Sequence, residues 1–217
     1  MMPLPNRANP FGDLEAAPER GLLFGNRGGR FHDAAAKTVR NRPWASRQWI
    51  VCLLDFKGRR ETRKAAGRTV WDGSRYTELF FCDEVTALAA GHRPCMECRR
   101  ADAMLFRKAV VTGGAFTEVP ACPGLDAQLD AERRAGRAKR LHILPFASLP
   151  NGAMVALDGR AFVVRGLHLL EWSHGGYIAA RPRPSGVAQC LTPPASLAAL
   201  TGGFKPLWHR SADDLAQ

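Results

Sequence analysis

Apolar runs in this chain are short, and their period changes more than once. Trp49 to Phe56 (WIVCLLDF) is nearly continuous and has the pattern of a buried strand. Leu22-Leu23-Phe24 predicts a second strand, running into the glycine loop Gly25-Asn26-Arg27-Gly28-Gly29-Arg30. Tyr76 to Cys82 (YTELFFC) predicts a third. Helical spacing follows. Val85, Leu88 and Ala89 share one face, Asp83 stands at the N-cap or in the first turn, and Gly91 stands where a helix stops. A second helix is expected from about Cys98, with Ala101, Met104, Leu105 and Ala109 on one face and Arg100 and Arg107 on another. Pro120 to Gly124 breaks the pattern. Leu125 to Arg140 reads as an exposed helix, acidic early and basic late, which suits the helix dipole.

After Leu141 the texture becomes β-like. Ala153–Leu157 and Ala161–Arg165 flank Asp158-Gly159, a hairpin signal. Leu167–Trp172 adds a strand and Gly175-Gly176 a turn. Thr192-Pro193-Pro194 opens a helix over Ala195–Leu200, and Gly202-Gly203 ends it. Residues 1–20 carry Pro3, Pro5, Pro10 and Pro18 with no apolar period, and predict an extended arm.

Charge changes this picture. The chain of 217 residues has 31 Lys/Arg against 20 Asp/Glu, a formal net charge of +11. Residues 21–75 alone hold 13 Lys/Arg against 4 Asp/Glu, so the excess is regional. Such a region suggests a polyanionic partner, nucleic acid before an anionic membrane surface. Arg27, Arg30, Arg40, Arg42, Arg47, Arg59, Arg60, Arg63 and Lys64 are candidate phosphate contacts, and Arg99, Arg100 and Arg107 extend the set. The Gly25–Arg30 loop offers backbone N–H groups and two guanidinium forks to a phosphate. Trp44, Trp49 and Trp71 interleave with these residues and can stack on bases, though Trp49 fits a core better.

The N-terminus lacks a cationic start followed by an apolar core, so no signal peptide is expected. No apolar run approaches the ~18–20 residues that cross a bilayer. The expected setting is the cytoplasm, where six cysteines are more readily metal ligands or buried thiols than three disulfides.

Among Cys52, Cys82, Cys95, Cys98, Cys122 and Cys190, the last pair of the run Gly91-His92-Arg93-Pro94-Cys95-Met96-Glu97-Cys98 stands out. A C-x-x-C knuckle brings two thiolates to one ion, and a helix starting at the second cysteine favours its thiolate. A structural Zn²⁺ needs two more ligands. Cys52 is the first candidate, if its strand pairs with Tyr76–Cys82, and Cys82 is the second. His92 and His32 are weaker candidates. Other chemistries use the same spacing. A thioredoxin-like redox pair would follow a strand directly, and here a glycine-ended helix precedes it. A zinc deaminase carries P-C-x-x-C after H-x-E; Cys82-Asp83-Glu84 imitates that first half, with Glu84 as proton shuttle, but at short spacing. A pair of reduced core cysteines is the third alternative.

Leu79 to Arg99, LFFCDEVTALAAGHRPCMECR, resembles the second half of the zinc-binding domain of Ada-type alkylation-repair proteins. The likeness lies in a short aromatic strand, a helix ending ALAAG, an Arg-Pro-Cys turn and the C-x-x-C pair. It implies zinc ligation by Cys95 and Cys98 and association with DNA. That family also carries an upstream C-x-x-x-C pair, one thiolate of which accepts a methyl group from a DNA phosphotriester. This chain has no such pair.

The expectation is an α+β protein: a small zinc-knuckle core of short strands and helices with a β-rich C-terminal part. Residues 1–20 form an arm, 21–140 a basic Ada-like zinc-binding domain and 141–217 the β-rich region, which can pack with the first as one domain. Zinc-dependent nucleic-acid binding is the expected role. An enzyme using the zinc site, either a methyl acceptor or a deaminase-like hydrolase, and a structural zinc protein with a protein partner are the alternatives.

Overall fold

The computed structural model describes residues 3–59, 62, 65–73 and 76–215. Two sheets and a set of short helices make a mixed α and β architecture. The first sheet is built from β1 (Pro5–Ala8), β2 (Leu14–Ala16) and β3 (Leu23–Arg27). After the small ribbon β4 (His32–Asp33) and β5 (Thr38–Val39), it continues with β6 (Trp49–Leu53), β7 (Leu79–Phe81) and β8 (Arg93–Pro94). Its six strands run in the order β2-β1-β7-β3-β6-β8. The β1–β7 and β6–β8 pairs are parallel and the rest antiparallel. The expected arm is therefore a correction: Pro5–Ala8 and Leu14–Ala16 form a hairpin on the sheet, with Arg7 lying over the Phe80 ring at 5.0 Å. Proline is tolerated there because Pro5 is the first residue of β1.

Alternation along these strands sorts side chains between the two faces. Leu23, Gly25, Val51, Leu79 and Phe81 face inward, against Ala87 and Ala90. Phe24, Cys52 and Phe80 pair across the strands on the opposite face. Helix α1 (Glu84–Ala89) lies within the interior, all six of its residues buried. Asp83 caps it as expected, accepting from the Thr86 backbone N–H at 2.8 Å. Gly91, at φ +91°, closes the helix in a conformation that suits glycine. A Cβ there would also lie 2.5 Å from Arg133 Cδ.

Helix α2 (Arg100–Thr112) buries Ala103, Phe106, Ala109 and Val110, while Leu105 is exposed. The expected inner face was rotated by the unforeseen packing of Phe106 on Phe204, ring centroids 5.2 Å apart. Helix α3 (Cys122–Arg133) is shorter and more buried than expected. It ends in the ribbon β9 (Arg134–Ala135) and β10 (Ala138–Lys139), turned at Gly136 with φ +63°.

The second sheet contains β11 (His142–Pro145), β12 (Met154–Leu157), β13 (Arg160–Arg165), β14 (His168–Ser173), β15 (Gly176–Pro182) and β16 (Val187–Cys190). It is antiparallel throughout, in the order β11-β16-β12-β13-β14-β15. Asp158 and Gly159, both at positive φ, make the two-residue turn between β12 and β13. Helices α4 (Pro194–Thr201) and α5 (Ser211–Asp214) complete the chain.

The cores straddle residue 141. Leu88, Phe106 and Leu125 pack with Ala195, Ala199 and Phe204, and Val85 and Ala89 pack with Met154, Val163 and Tyr177. Asp83 makes a polar link across the same divide. Its Oδ2 accepts from the Tyr177 hydroxyl at 2.8 Å and from the His209 backbone N–H at 3.1 Å. Replacing this fully buried carboxylate by alanine strands four donors: the Thr86 N–H and hydroxyl, the Tyr177 hydroxyl and the His209 N–H. Asp83→Ala is expected to lower unfolding free energy by about 2–3 kcal/mol in denaturant titrations.

Candidate metal centre

The centre begins with strand register. Parallel pairing sets Ile50 beside Arg93 and Val51 beside Pro94. One residue further along both strands stand Cys52 and Cys95, and the Cys95 backbone N–H donates to Val51 O at 3.0 Å. The turn after Cys95 brings Cys98 back to the same spot. The three Sγ atoms lie within 4.8 Å of one another. Two sulfurs sharing a tetrahedral Zn²⁺ at about 2.3 Å each stand about 3.8 Å apart, so three thiolates here can share one ion.

Hydrogen bonding suits negatively charged sulfur. The Glu97 backbone N–H donates to Cys95 Sγ at 3.4 Å, the Cys98 N–H also serves Cys95, and the Leu53 N–H serves Cys98. Donors of this kind tune a metal-bound thiolate. Hydrogen bonds from Cys52 and Cys98 hold the Cys95 pKa far below an ordinary thiol's. Cys52, hydrogen-bonded to both other thiols and buried, is pushed far up. For Cys98 the bond with Cys52 lowers the pKa and the bond with Cys95 raises it; with burial, the balance is upward. Cys98 is the most exposed of the three.

The knuckle is braced from behind. Arg93 Nε and Nη2 both donate to the Asp126 carboxylate at 2.8 Å, and Nη1 donates to Pro94 O at 3.1 Å. Both partners are buried, so this bidentate pair ties β8 to α3. Arg93 lies within the Arg-Pro-Cys motif, but its role was not legible because Asp126 lies 33 residues away.

Cys82 is a correction. It is buried next to the Asp83 cap, outside the three-sulfur cluster, and burial and the Asp83 charge raise its pKa. Strand β6 pairs with β3 and β8 and not with β7, so the expected link between Cys52 and Tyr76–Cys82 does not form. His92 is fully buried. Its ring packs on Phe81 at 4.7 Å and Trp49 at 5.0 Å, and burial with the Arg27 and Arg133 charges keeps it neutral. His32 stacks on Trp71 at 4.9 Å and hydrogen-bonds Thr77 Oγ1 at 2.8 Å. Glu84 is engaged by Arg99 at 2.6 and 2.9 Å and by the Leu207 N–H at 2.9 Å, and is not a member of the three-cysteine group. That engagement removes it as a free proton shuttle.

The basic residues divide sharply. Arg27 and Arg99 are interior, contrary to expectation. Arg27 lies 3.9 Å from the Trp49 ring centroid and donates to Gly12 O at 2.8 Å. Arg99 is consumed by Glu84 and Asp102. Arg30, Arg59 and Arg100 are on the surface, Arg30 donating to Gly73 O and Arg59 paired with Glu97. Arg60, Arg63 and Lys64 lie outside the described residues. Trp44, Trp49 and Trp71 are buried, so none offers a free face to a base.

No protein-family model, curated protein or solved structure matches the chain. The cysteine cluster is consistent with a generic zinc-binding motif, and among the described residues no helix is long and apolar enough to cross a membrane. Substitution of Cys52, Cys95 or Cys98 by serine is expected to abolish or sharply reduce metal content by elemental analysis. Cys82→Ser is expected to retain it, separating the three-sulfur site from a four-cysteine site that includes Cys82.

Proposed function

We propose that the chain is a zinc protein that binds nucleic acid. The carrying observation is the convergence of Cys52, Cys95 and Cys98 with backbone N–H groups directed at their sulfurs. Thiolate ligands suit zinc among the common divalent ions. Reduced thiols of this kind fit a cytoplasmic setting. The local order of strand, helix, glycine, Arg-Pro turn and C-x-x-C also follows the Ada-type zinc domain over residues 79–99. That likeness and the +11 net charge favour DNA as the polyanion. Arg30, Arg59 and Arg100 are the contacts proposed from the described surface.

Zinc at this centre would join β6 to the knuckle and hold the chain around Arg59 and Arg100 in one arrangement. Protein purified without chelator should carry about one zinc per chain. Fluorescence anisotropy with labelled duplex should show affinity falling steeply with salt, and more weakly for an Arg30→Gln/Arg100→Gln variant. Metal-free preparations would remove the zinc reading, and a flat salt response would remove the phosphate-contact reading.

A second reading is favoured by the donor count. Among the described His, Cys, Asp and Glu residues, the group within reach of one ion has three members. Zinc sites that perform chemistry keep a position beyond three protein ligands. In such a centre the partly exposed Cys98 thiolate could attack the methyl carbon of a phosphotriester, forming an S–C bond as the C–O bond breaks and a phosphodiester leaves. Intact-mass measurement after incubation with methylated DNA distinguishes this reading by a single methyl-for-proton gain, absent in Cys98→Ser.

A further inference from the structure

A second site lies on the other face of β6. Its cavity, about 290 Å³, is enclosed by the β1–β2 turn, the chain from Val39 to Trp44, Trp49, and the end of α3 with the β9–β10 ribbon. Arg27, Arg40, Arg133, Arg134, Arg137 and Lys139 line it, whereas among the described residues Asp13 is the one carboxylate in the lining. Asp130 lies behind the wall and pairs with Arg133 and Arg134 at 2.7–2.9 Å. Six cations thus converge with two carboxylates to offset them.

Several of these cations are held inside the protein. The Arg27 and Arg133 guanidiniums both lie against Trp49, at 3.9 and 3.8 Å from its ring centroid. Arg133 Nη1 donates to Gly91 O at 3.0 Å and Nη2 to Arg47 O at 2.8 Å, yet its buried Nε–H has no partner among the described residues. The buried Nε1–H of Trp44, another lining residue, also has none among them. Unpartnered buried donors are costly, and concentrated like charge adds to that cost. Burial, with Arg27 and Arg133 nearby, pushes the Lys139 ammonium down to about 7. An anion in the cavity would offset the concentrated positive charge.

We propose that this cavity binds a phosphate monoester. A phosphate dianion brings two negative charges and three terminal oxygens, matching convergent guanidinium forks and a lysine better than a single carboxylate does. The volume lies at the small end of ligand pockets, suited to one phosphate and a modest attached group. Exposed Arg40, Asn41 and Arg137 form a solvent-facing rim. The phosphate can therefore belong to a free metabolite or to the end of a nucleic-acid strand.

Calorimetric titration of the full chain with adenosine 5′-monophosphate, adenosine and succinate tests the class. The expected result is saturable binding of the monophosphate, with adenosine and succinate each at least about tenfold weaker. A 5′-phosphorylated oligonucleotide against its 5′-hydroxyl counterpart distinguishes a strand end from a free ligand. Lys139→Met should weaken monophosphate binding by about tenfold or more. Should Lys139→Met fail to fold, the rim variant Arg40→Gln/Arg137→Gln, which leaves the interior intact, should weaken it by several fold. No monophosphate binding, equal binding of succinate, or unchanged affinity in folded variants would overturn the proposal.

Discussion

The parallel pairing of β6 with β8 is the constraint from which both sites follow. Parallel neighbours keep one register along their length, so Ile50 beside Arg93 dictates Cys52 beside Cys95. Pleating then sends Cys52 to one face and Trp49 and Val51 to the other. One five-residue strand therefore supplies a sulfur to the metal centre and an indole wall to the cationic cavity. Slipping that register by one residue would invert both. The Arg93–Asp126 pair guards against such a slip, because β8 is only two residues long and has little ladder of its own.

Arginine in this molecule serves two different purposes. The excess positive charge suggested a surface, yet Arg27, Arg93, Arg99 and Arg133 are among the least exposed residues. Arg93 and Arg99 have carboxylate partners in bidentate geometry, which makes their burial tolerable. Among the described residues Arg27 has no carboxylate in hydrogen-bond contact, only the charge of Asp13 nearby. It is met by the Trp49 face, backbone carbonyls and neutral His92, an arrangement that leaves its charge largely uncompensated. Global charge counts what a chain carries but not which way it points.

Much of the local structure was legible in the sequence. The Asp83 cap, the stop at Gly91, the Asp158-Gly159 turn and the Pro194 helix start each depend on a few adjacent residues. The Cys95/Cys98 knuckle belongs to the same class. Cys52 was selectable as a partner, but for the wrong reason, since β7 pairs with β3 and β1 instead. Long-range pairings such as Arg93 with Asp126 and Arg133 with Gly91 leave no local periodicity to read. The cationic cavity was hidden for that reason. Its walls come from residues 11 to 139, and an arginine in a loop reads alike whether it turns inward or out.

The Asp83 cap has a consequence for how the protein is made. The three cysteines leave the ribosome well before Tyr177 and His209, which complete the bonds to Asp83. Until those residues arrive, α1 lacks part of its polar anchoring and Met154, Val163 and Tyr177 are missing from its apolar surroundings. The cysteine knuckle thus leaves the ribosome before the helix that precedes it is fully anchored. An early ion would shelter the three thiols from oxidation during synthesis, as well as join two strands afterwards.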